Sequence, residues 1–304
     1  MSGTAPRRCG YVALIGAPNA GKSTLLNALV GAKVSIVSPK VQTTRRRILG
    51  IAVEDGSQIV FVDTPGIFAP RPGRRLERAM VTAAWEGAED ADLVVLLVDV
   101  TRPDDPDTRG IVDRLKAAGR KAVLVLNKID LVPRPSLLEL AARFEREGIF
   151  EPIFMISGLT GDGVPDLRRH LAAALPEGPW LYPEDQLSDL PERLLAAEAT
   201  REQVFLQLHD ELPYAITVET DKWEERKDGS VRIEQTIFVQ RPGQKAIVLG
   251  EGGQQIKRIG ARARTELEAM LGRRVHLFLF VRVEKGWTED RERYEAMGLD
   301  FEDE

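Results

Sequence analysis

Gly16-Ala17-Pro18-Asn19-Ala20-Gly21-Lys22-Ser23, with Thr24 following, is the stretch on which the fold turns. It has the spacing glycine, four residues, Gly-Lys-Ser. An apolar run at 11–15 precedes it, and a helical pattern at 22–30 opens on its last residues. A chance glycine turn would not carry that strand before it and that helix after it. The glycines let a loop wrap closely round phosphate oxygens. Backbone N–H groups and the helix N-terminus then supply fixed positive dipoles. In that arrangement Lys22 reaches the outer phosphates and the Ser23 hydroxyl is placed to ligate Mg²⁺.

Residues 11–15, 48–53, 58–62, 93–98, 122–126 and 153–156 are short, rich in Val and Ile and bounded by Gly, Asp or Asn, which reads as strands. Helical patterns at 74–89, 108–118, 136–147 and 164–174 lie among them. Such alternation predicts a mainly parallel sheet with helices on both faces, and ligands at the carboxyl ends of its strands. The expected organisation is an α/β nucleotide-binding domain at 8–178, a linker at 179–190 marked by Pro176-Glu-Gly-Pro179 and Pro183, a smaller α+β domain at 191–290 and an acidic tail at 291–304. In the second half, 190–209 and 254–271 read as helices, and 215–219, 231–240 and 275–283 as strands.

The 304 residues suffice for two domains. One cysteine, Cys9, excludes an intramolecular disulfide framework and points to a reducing, cytoplasmic compartment. No apolar stretch approaches the ~20 residues of a membrane span, and nothing reads as a signal peptide. Net charge is −5, which by itself argues against a nucleic-acid partner. The charge is partitioned, however: residues 222–282 carry 13 Lys/Arg against 7 Asp/Glu, and residues 284–304 carry 3 against 9. The expectation for the acidic tail is that it keeps the protein soluble. The alternative is competition with RNA for the basic surface.

Three further boxes end strands. Asp63-Thr64-Pro65-Gly66 offers a carboxylate that can hold Mg²⁺ and a Gly66 N–H that can meet a γ-phosphate. In Asn127-Lys128-Ile129-Asp130 the Asp130 carboxylate can accept both guanine N1–H and the 2-amino group; adenine would leave it unpaired. Asn127 and Lys128 would shape the base pocket. Ser157-Gly158-Leu159 could meet guanine O6 through backbone N–H groups. Singly these are common turns, but in this order the boxes resemble the translation-factor class of GTPases. That resemblance counts Gly16, Asn19, Ala20, Gly21, Lys22, Ser23, Thr24, Asn127, Lys128, Asp130, Ser157, Gly158 and Leu159 as nucleotide-binding. Within Gln42-Thr43-Thr44-Arg45-Arg46-Arg47 it makes Thr44 the residue that completes the Mg²⁺ shell beside Ser23 and Asp63, with Thr43 the alternative. Lys22, Thr44, Asp63, Gly66 and Asn19 are the expected catalytic set. Many GTPases have Gln after the Asp-x-x-Gly box, where this chain has Ile67. Something else must then order water or neutralise charge. Asn19 resembles the asparagine that coordinates K⁺ in potassium-activated members; the alternative is that it only shapes the loop.

In the second half, Gly250-Glu251-Gly252-Gly253 and Gln254, followed by Lys257 and Arg258 in a helix, resemble the Gly-x-x-Gly loop of a KH domain, which clamps about four nucleotides of single-stranded RNA. A lone Gly-x-x-Gly is more often a plain turn; the amphipathic helix, the apolar strand and the net basic charge of 222–282 reverse that in favour of RNA. Residues 245–249 read as a strand by composition and as a short helix by the KH resemblance, and the latter is followed. With Gln42-Thr-Thr-Arg45, Glu211-Leu-Pro-Tyr214, Ile256-Lys-Arg-Ile-Gly260 and 281–287, the chain from about residue 8 to 290 resembles the Era family of small-subunit assembly GTPases. Ala17, in place of a commonly basic residue, and Ser157-Gly158, in place of Ser-Ala, are modest departures. The resemblance implies a monomeric switch using GTP, GDP and Mg²⁺. Its partners would be the single-stranded 3′ end of small-subunit ribosomal RNA and the small ribosomal subunit, with GTP favouring RNA binding. A peripheral inner-membrane association, another RNA target, or an RNA-binding module with incidental hydrolysis are the competing readings.

Overall fold

The computed structural model describes residues 7–38, 48–208, 216–286, 290–296 and 299–301, and these divide into two units. The first takes in the described residues up to Ser35, those from 48 to Asp189, and those from Glu295 on. The second takes in residues 36–38 and the described residues from Leu190 to Tyr294. Gln42–Arg47, with Thr43 and Thr44, and also 211–214 and Trp287, lie outside the described residues.

The first unit holds β1 (Arg8–Gly16), α1 (Lys22–Val30), β2 (Ile48–Glu54), β3 (Ser57–Asp63), α2 (Arg75–Glu89), β4 (Leu93–Asp99), α3 (Pro106–Ala117), β5 (Ala122–Asn127), α4 (Arg134–Glu145), β6 (Phe150–Ile156) and α5 (Val164–Ala174). The sheet order is β2-β3-β1-β4-β5-β6, with β2 antiparallel and the rest parallel. The central strands read as near-continuous apolar runs because both faces are covered. Leu14, Leu25, Val95 and Leu167 fill one face, whereas Ile15, Trp85, Leu96 and Ile111 fill the other. Register sets the site: Leu14 pairs with Asp63, Gly16 with Leu97, and Asp99 with Asn127, so the carboxyl ends of β1, β3, β4 and β5 come level.

The segment expected as a linker is packed onto this unit. Ile51 N–H donates to Leu187 O at 2.8 Å, and Leu49 N–H to Asp189 Oδ1 at 3.1 Å, extending the sheet beyond β2. Gln58 is fully buried; its Oε1 accepts Leu181 N–H at 2.9 Å and Tyr182 N–H at 3.0 Å, and its Nε2 donates to Tyr182 O at 2.8 Å. Trp180 Nε1 donates to Gly56 O at 3.2 Å.

The second unit holds α6 (Glu192–Gln207), β7 (Ile216–Glu225), β8 (Val231–Val239), α7 (Pro242–Leu249), α8 (Gln254–Leu271), β9 (Val275–Val283) and α9 (Arg291–Ala296). Its sheet order is β7-β8-β9, antiparallel then parallel. Helices α6 and α8 cover one face, where Ala197, Val204, Ile237, Ile259 and Leu267 are buried. Residues 245–249 are helical: Pro242 opens the turn, and Gln244 Oε1 accepts Gln240 N–H at 2.8 Å and Arg241 N–H at 2.9 Å. The last strand is apolar on both faces of a sheet with helices α6 and α8 on one, and so leaves Phe278 and Phe280 about half exposed. The acidic end of the chain is ordered where described. Tyr294 is fully buried and Arg293 sits 3.0 Å from Glu219 in the second unit, while Leu299 is buried and Phe301 lies under the Arg75 guanidinium in the first.

Candidate functional site

The phosphate-loop residues gather at the level strand ends. Lys22 is buried, and its Nζ donates to Gly16 O at 2.9 Å and Ala17 O at 3.1 Å, which folds the ammonium back over the loop. Burial pushes its pKa down to about 8, with Asp63 opposing, so the lysine is primed to gain from an anion. Asn19 takes a left-handed conformation at φ 64°, Ala20 is buried, Gly21 sits at φ 99°, and Thr24 lies in the first turn of α1. Ile67 N–H donates to Gly16 O at 3.1 Å, and a Cβ on Gly66 would stand 3.0 Å from Pro18. The Asp-Thr-Pro-Gly segment is therefore pinned directly beside the phosphate loop.

Asp63 Oδ2 accepts from Ser23 Oγ and from Ser35 Oγ, each at 2.9 Å. Hydroxyl and carboxylate oxygens are the hard donors that Mg²⁺ takes, usually with several waters retained, so this pair fits the ion. Ser35 was not singled out by the sequence. Its place comes from Asn27, whose Oδ1 accepts the N–H groups of Val34 and Ser35 at 2.9 Å each, and whose Nδ2 donates to Ser35 O at 2.8 Å. Thr44, expected to complete this set, is outside the described residues.

At the strand ends of β5 and β6, Asn127 has a structural part beside the base-pocket role expected of it. Its Nδ2 donates to Ala20 O at 2.8 Å and its Oδ1 accepts Gly158 N–H at 3.0 Å. Lys128, at φ 70°, donates to Asn19 O at 2.8 Å and to Asp99 Oδ2 at 2.6 Å. Asp130 is exposed in a short 3₁₀ turn over Ile129–Leu131, with its carboxylate open to a ligand from solvent. Of the three amides expected to face guanine O6, Ser157 N–H goes to Asp162 O and Gly158 N–H to Asn127, which leaves Leu159 N–H for a base. Asp99 is the other residue the sequence reading passed over. Its signal was available: a carboxylate closing a parallel strand, level with Asn127.

In the second unit, Gly250, Gly252 and Gly253 lie at φ 69°, 57° and 75°, with Glu251–Gly253 forming one 3₁₀ turn into α8. A Cβ on Gly250 would stand 2.6 Å from Gln255 Cβ, whereas Gly252 and Gly253 face open space. Gln254, Lys257 and Arg258 are exposed on the first turns of α8, with Arg258 Nη2 donating to Gln255 Oε1 at 2.7 Å. The turn, the helix N-terminus and the two cations make a surface suited to a phosphodiester backbone. Among the described residues no group of three or more His, Cys, Asp or Glu side chains stands ready to hold a metal.

Residues 11–128 match the family model described as 50S ribosome-binding GTPase, and residues 211–288 match that of the KH domain. The class is thus a P-loop GTPase unit followed by a KH unit. The chain is 61% identical over 300 residues to GTPase Era of Rhizobium meliloti strain 1021, covering 99% of this chain and 95% of that protein. It is 60% identical over 296 residues to GTPase Era of Agrobacterium fabrum, covering 97% and 93%. Two solved structures superpose along 96% of this chain and 99% of theirs, at 39% identity. One is a point variant of Aquifex aeolicus Era bound to GDP and AlF4⁻, at TM-score 0.90. The other is Era in complex with MgGDPNP and nucleotides 1506–1542 of 16S ribosomal RNA, at TM-score 0.91. The chain belongs to the Era family of GTPases.

Proposed function

We propose that this GTPase is a nucleotide-driven switch that binds the single-stranded 3′ end of small-subunit ribosomal RNA and assists assembly of the small subunit. The observation that carries it is one chain holding both parts: a phosphate loop level with Asp63 and Asn127 at the strand ends, and a Gly250–Gly253 turn with Lys257 and Arg258 behind it. The relatives solved with GDP·AlF4⁻ and with MgGDPNP and 16S ribosomal RNA support both halves.

In this reading Lys22 and the loop amides hold the phosphates, and Asp130 with Leu159 N–H selects guanine. Ser23, Asp63 and Thr44 hold Mg²⁺, and Gly66 N–H meets the γ-phosphate. Mg²⁺ held there would supply charge neutralisation to the phosphates during hydrolysis. Ile67 is buried and has no side-chain polar atom to orient water. In this reading Asn19 recruits K⁺ to supply what Ile67 lacks, and phosphate release should be several-fold faster in K⁺ than in Na⁺. Equal rates in the two salts would remove the cation from the reading. The reading is of a cytoplasmic monomer, with peripheral membrane association the alternative. Among the described residues no helix is long and apolar enough to cross a membrane.

The test is crosslinking of the full chain to small-subunit RNA with GDP and with a non-hydrolysable GTP analogue, the footprint being sequenced. A footprint at the RNA 3′ end, stronger with the analogue, is expected. A footprint elsewhere, or recovery on lipid vesicles without RNA, would favour the competing readings.

A further inference from the structure

Three consecutive phosphate-loop carbonyls are each met by a side-chain donor from the neighbouring strand ends. Ala20 O accepts from Asn127 Nδ2 at 2.8 Å, Asn19 O from Lys128 Nζ at 2.8 Å, and Pro18 O from Arg102 Nη2 at 3.4 Å. A peptide's C=O and N–H point in opposite directions, so holding these carbonyls sets the planes of the loop. Two of the three donors are cations, and both lean on one carboxylate. Asp99 Oδ2 lies 2.6 Å from Lys128 Nζ and 3.7 Å from Arg102 Nε.

The two oxygens of Asp99 do different work. Oδ1 accepts Thr101 N–H at 2.9 Å and Thr101 Oγ1–H at 2.6 Å, closing the turn that follows β4. Oδ2 takes the ammonium. The carboxylate is buried, and burial alone would raise its pKa, but the bonds from Lys128 and Thr101 outweigh that and hold it below the ordinary range. The anchor is therefore held in its anionic form.

We infer that Asp99 is a positioning residue for nucleotide retention: it fixes Lys128 so that the base-recognition turn and the phosphate loop are held as one piece. The inference rests on the nucleotide reading above and adds a residue to it. Lys128 must span two sites, the Asn19 carbonyl and the edge of the base pocket. A long side chain that is still 29% exposed would otherwise sample many rotamers. Fixing its head group removes that freedom before the ligand arrives.

Charge and turn formation can be separated by substitution. Asp99→Asn keeps an Oδ1 able to close the turn but presents an NH₂ group to an ammonium. Asp99→Glu keeps the charge but is too long for the turn. If Asp99 acts through Lys128, release of a fluorescent GDP from the full chain should be about tenfold faster in D99N. D99E should then stay nearer to wild type than D99N does. A residue that only shapes the turn predicts the reverse order.

Lys128→Met should also speed release, and D99N in that background should add nothing, because the partner is gone. Release from D99N within twofold of wild type, D99E worse than D99N, or multiplied effects in the double variant would each overturn the inference. Should D99N not fold, the order of D99E, K128M and wild type carries the same test. A wild-type chain that does not retain the GDP probe would overturn the nucleotide reading itself, and this inference with it. A normal wild type with a silent D99N overturns the inference alone.

Discussion

At Gly21 the backbone stands at φ 99°, and a Cβ there would lie 2.4 Å from Asn127 Nδ2. Gly21→Ala therefore meets a strained backbone and a side chain already committed to Ala20 O. The expected cost is about 1–3 kcal/mol of stability, with GDP binding lost, read by thermal unfolding and by calorimetry. Asp130 lies in the opposite situation: exposed and open to solvent, it carries little of the fold. Asp130→Asn should leave thermal stability unchanged while weakening GTP by roughly 100-fold or more, because an NH₂ group would face the donors of guanine. The same change suits xanthine, whose 2-oxo group accepts, so a competition assay should show the preference moving that way. Asp99 supplies the pH dependence. Its folded pKa is depressed, so its stabilisation is present above the ordinary carboxylate range and is lost as pH falls through the lower folded value. The difference in melting temperature between wild type and D99N should hold through neutral pH and shrink only below about pH 4.

The strand-helix alternation and the boxes that end the strands were legible because each rests on local chemistry. Glycine permits the close loop, the apolar runs mark buried parallel strands, and a carboxylate after β5 marks the turn in which Asp130 stands exposed. What was not legible depends on partners remote in sequence. The segment before Leu190 has prolines and no periodicity, which reads as a connector. Its order comes from Gln58, more than a hundred residues away and itself indistinguishable from an ordinary strand residue. Gln58→Ala removes three hydrogen bonds that tie Leu181 and Tyr182 to β3, and should cost about 2–3 kcal/mol in denaturant unfolding. Ser35 escaped for a similar reason, since Asn27 folds it back toward Asp63 and nothing in a lone serine announces that. The apolar pattern of β9 gave the strand but not its two environments; Phe278 and Phe280 emerge outward because the described helices α6 and α8 lie on the other face.

At the scale of the whole molecule, the net charge of −5 conceals a basic stretch at 222–282, and among the described residues of the acidic end several are packed. Tyr294, Arg293 and Leu299 are packed, so removing everything after Asp290 would cost stability as well as charge. The basic surface makes a quantitative prediction of its own. A clamp on about four nucleotides should give a slope of log affinity against log salt of roughly −2 to −3. Gly252 faces open space at φ 57°, a region that Asp tolerates, so Gly252→Asp adds an anion to the turn without a clash. RNA binding should fall at least tenfold while GTP hydrolysis is kept, which separates an RNA-directed GTPase from one acting elsewhere. Control of RNA binding by the nucleotide is read by titrating a fluorescent RNA carrying the small-subunit 3′ end with the full chain, saturated either with GDP or with a non-hydrolysable GTP analogue and Mg²⁺. Affinity at least tenfold tighter with the analogue, abolished by Gly252→Asp, is the predicted result; equal affinity in the two nucleotide states would contradict it.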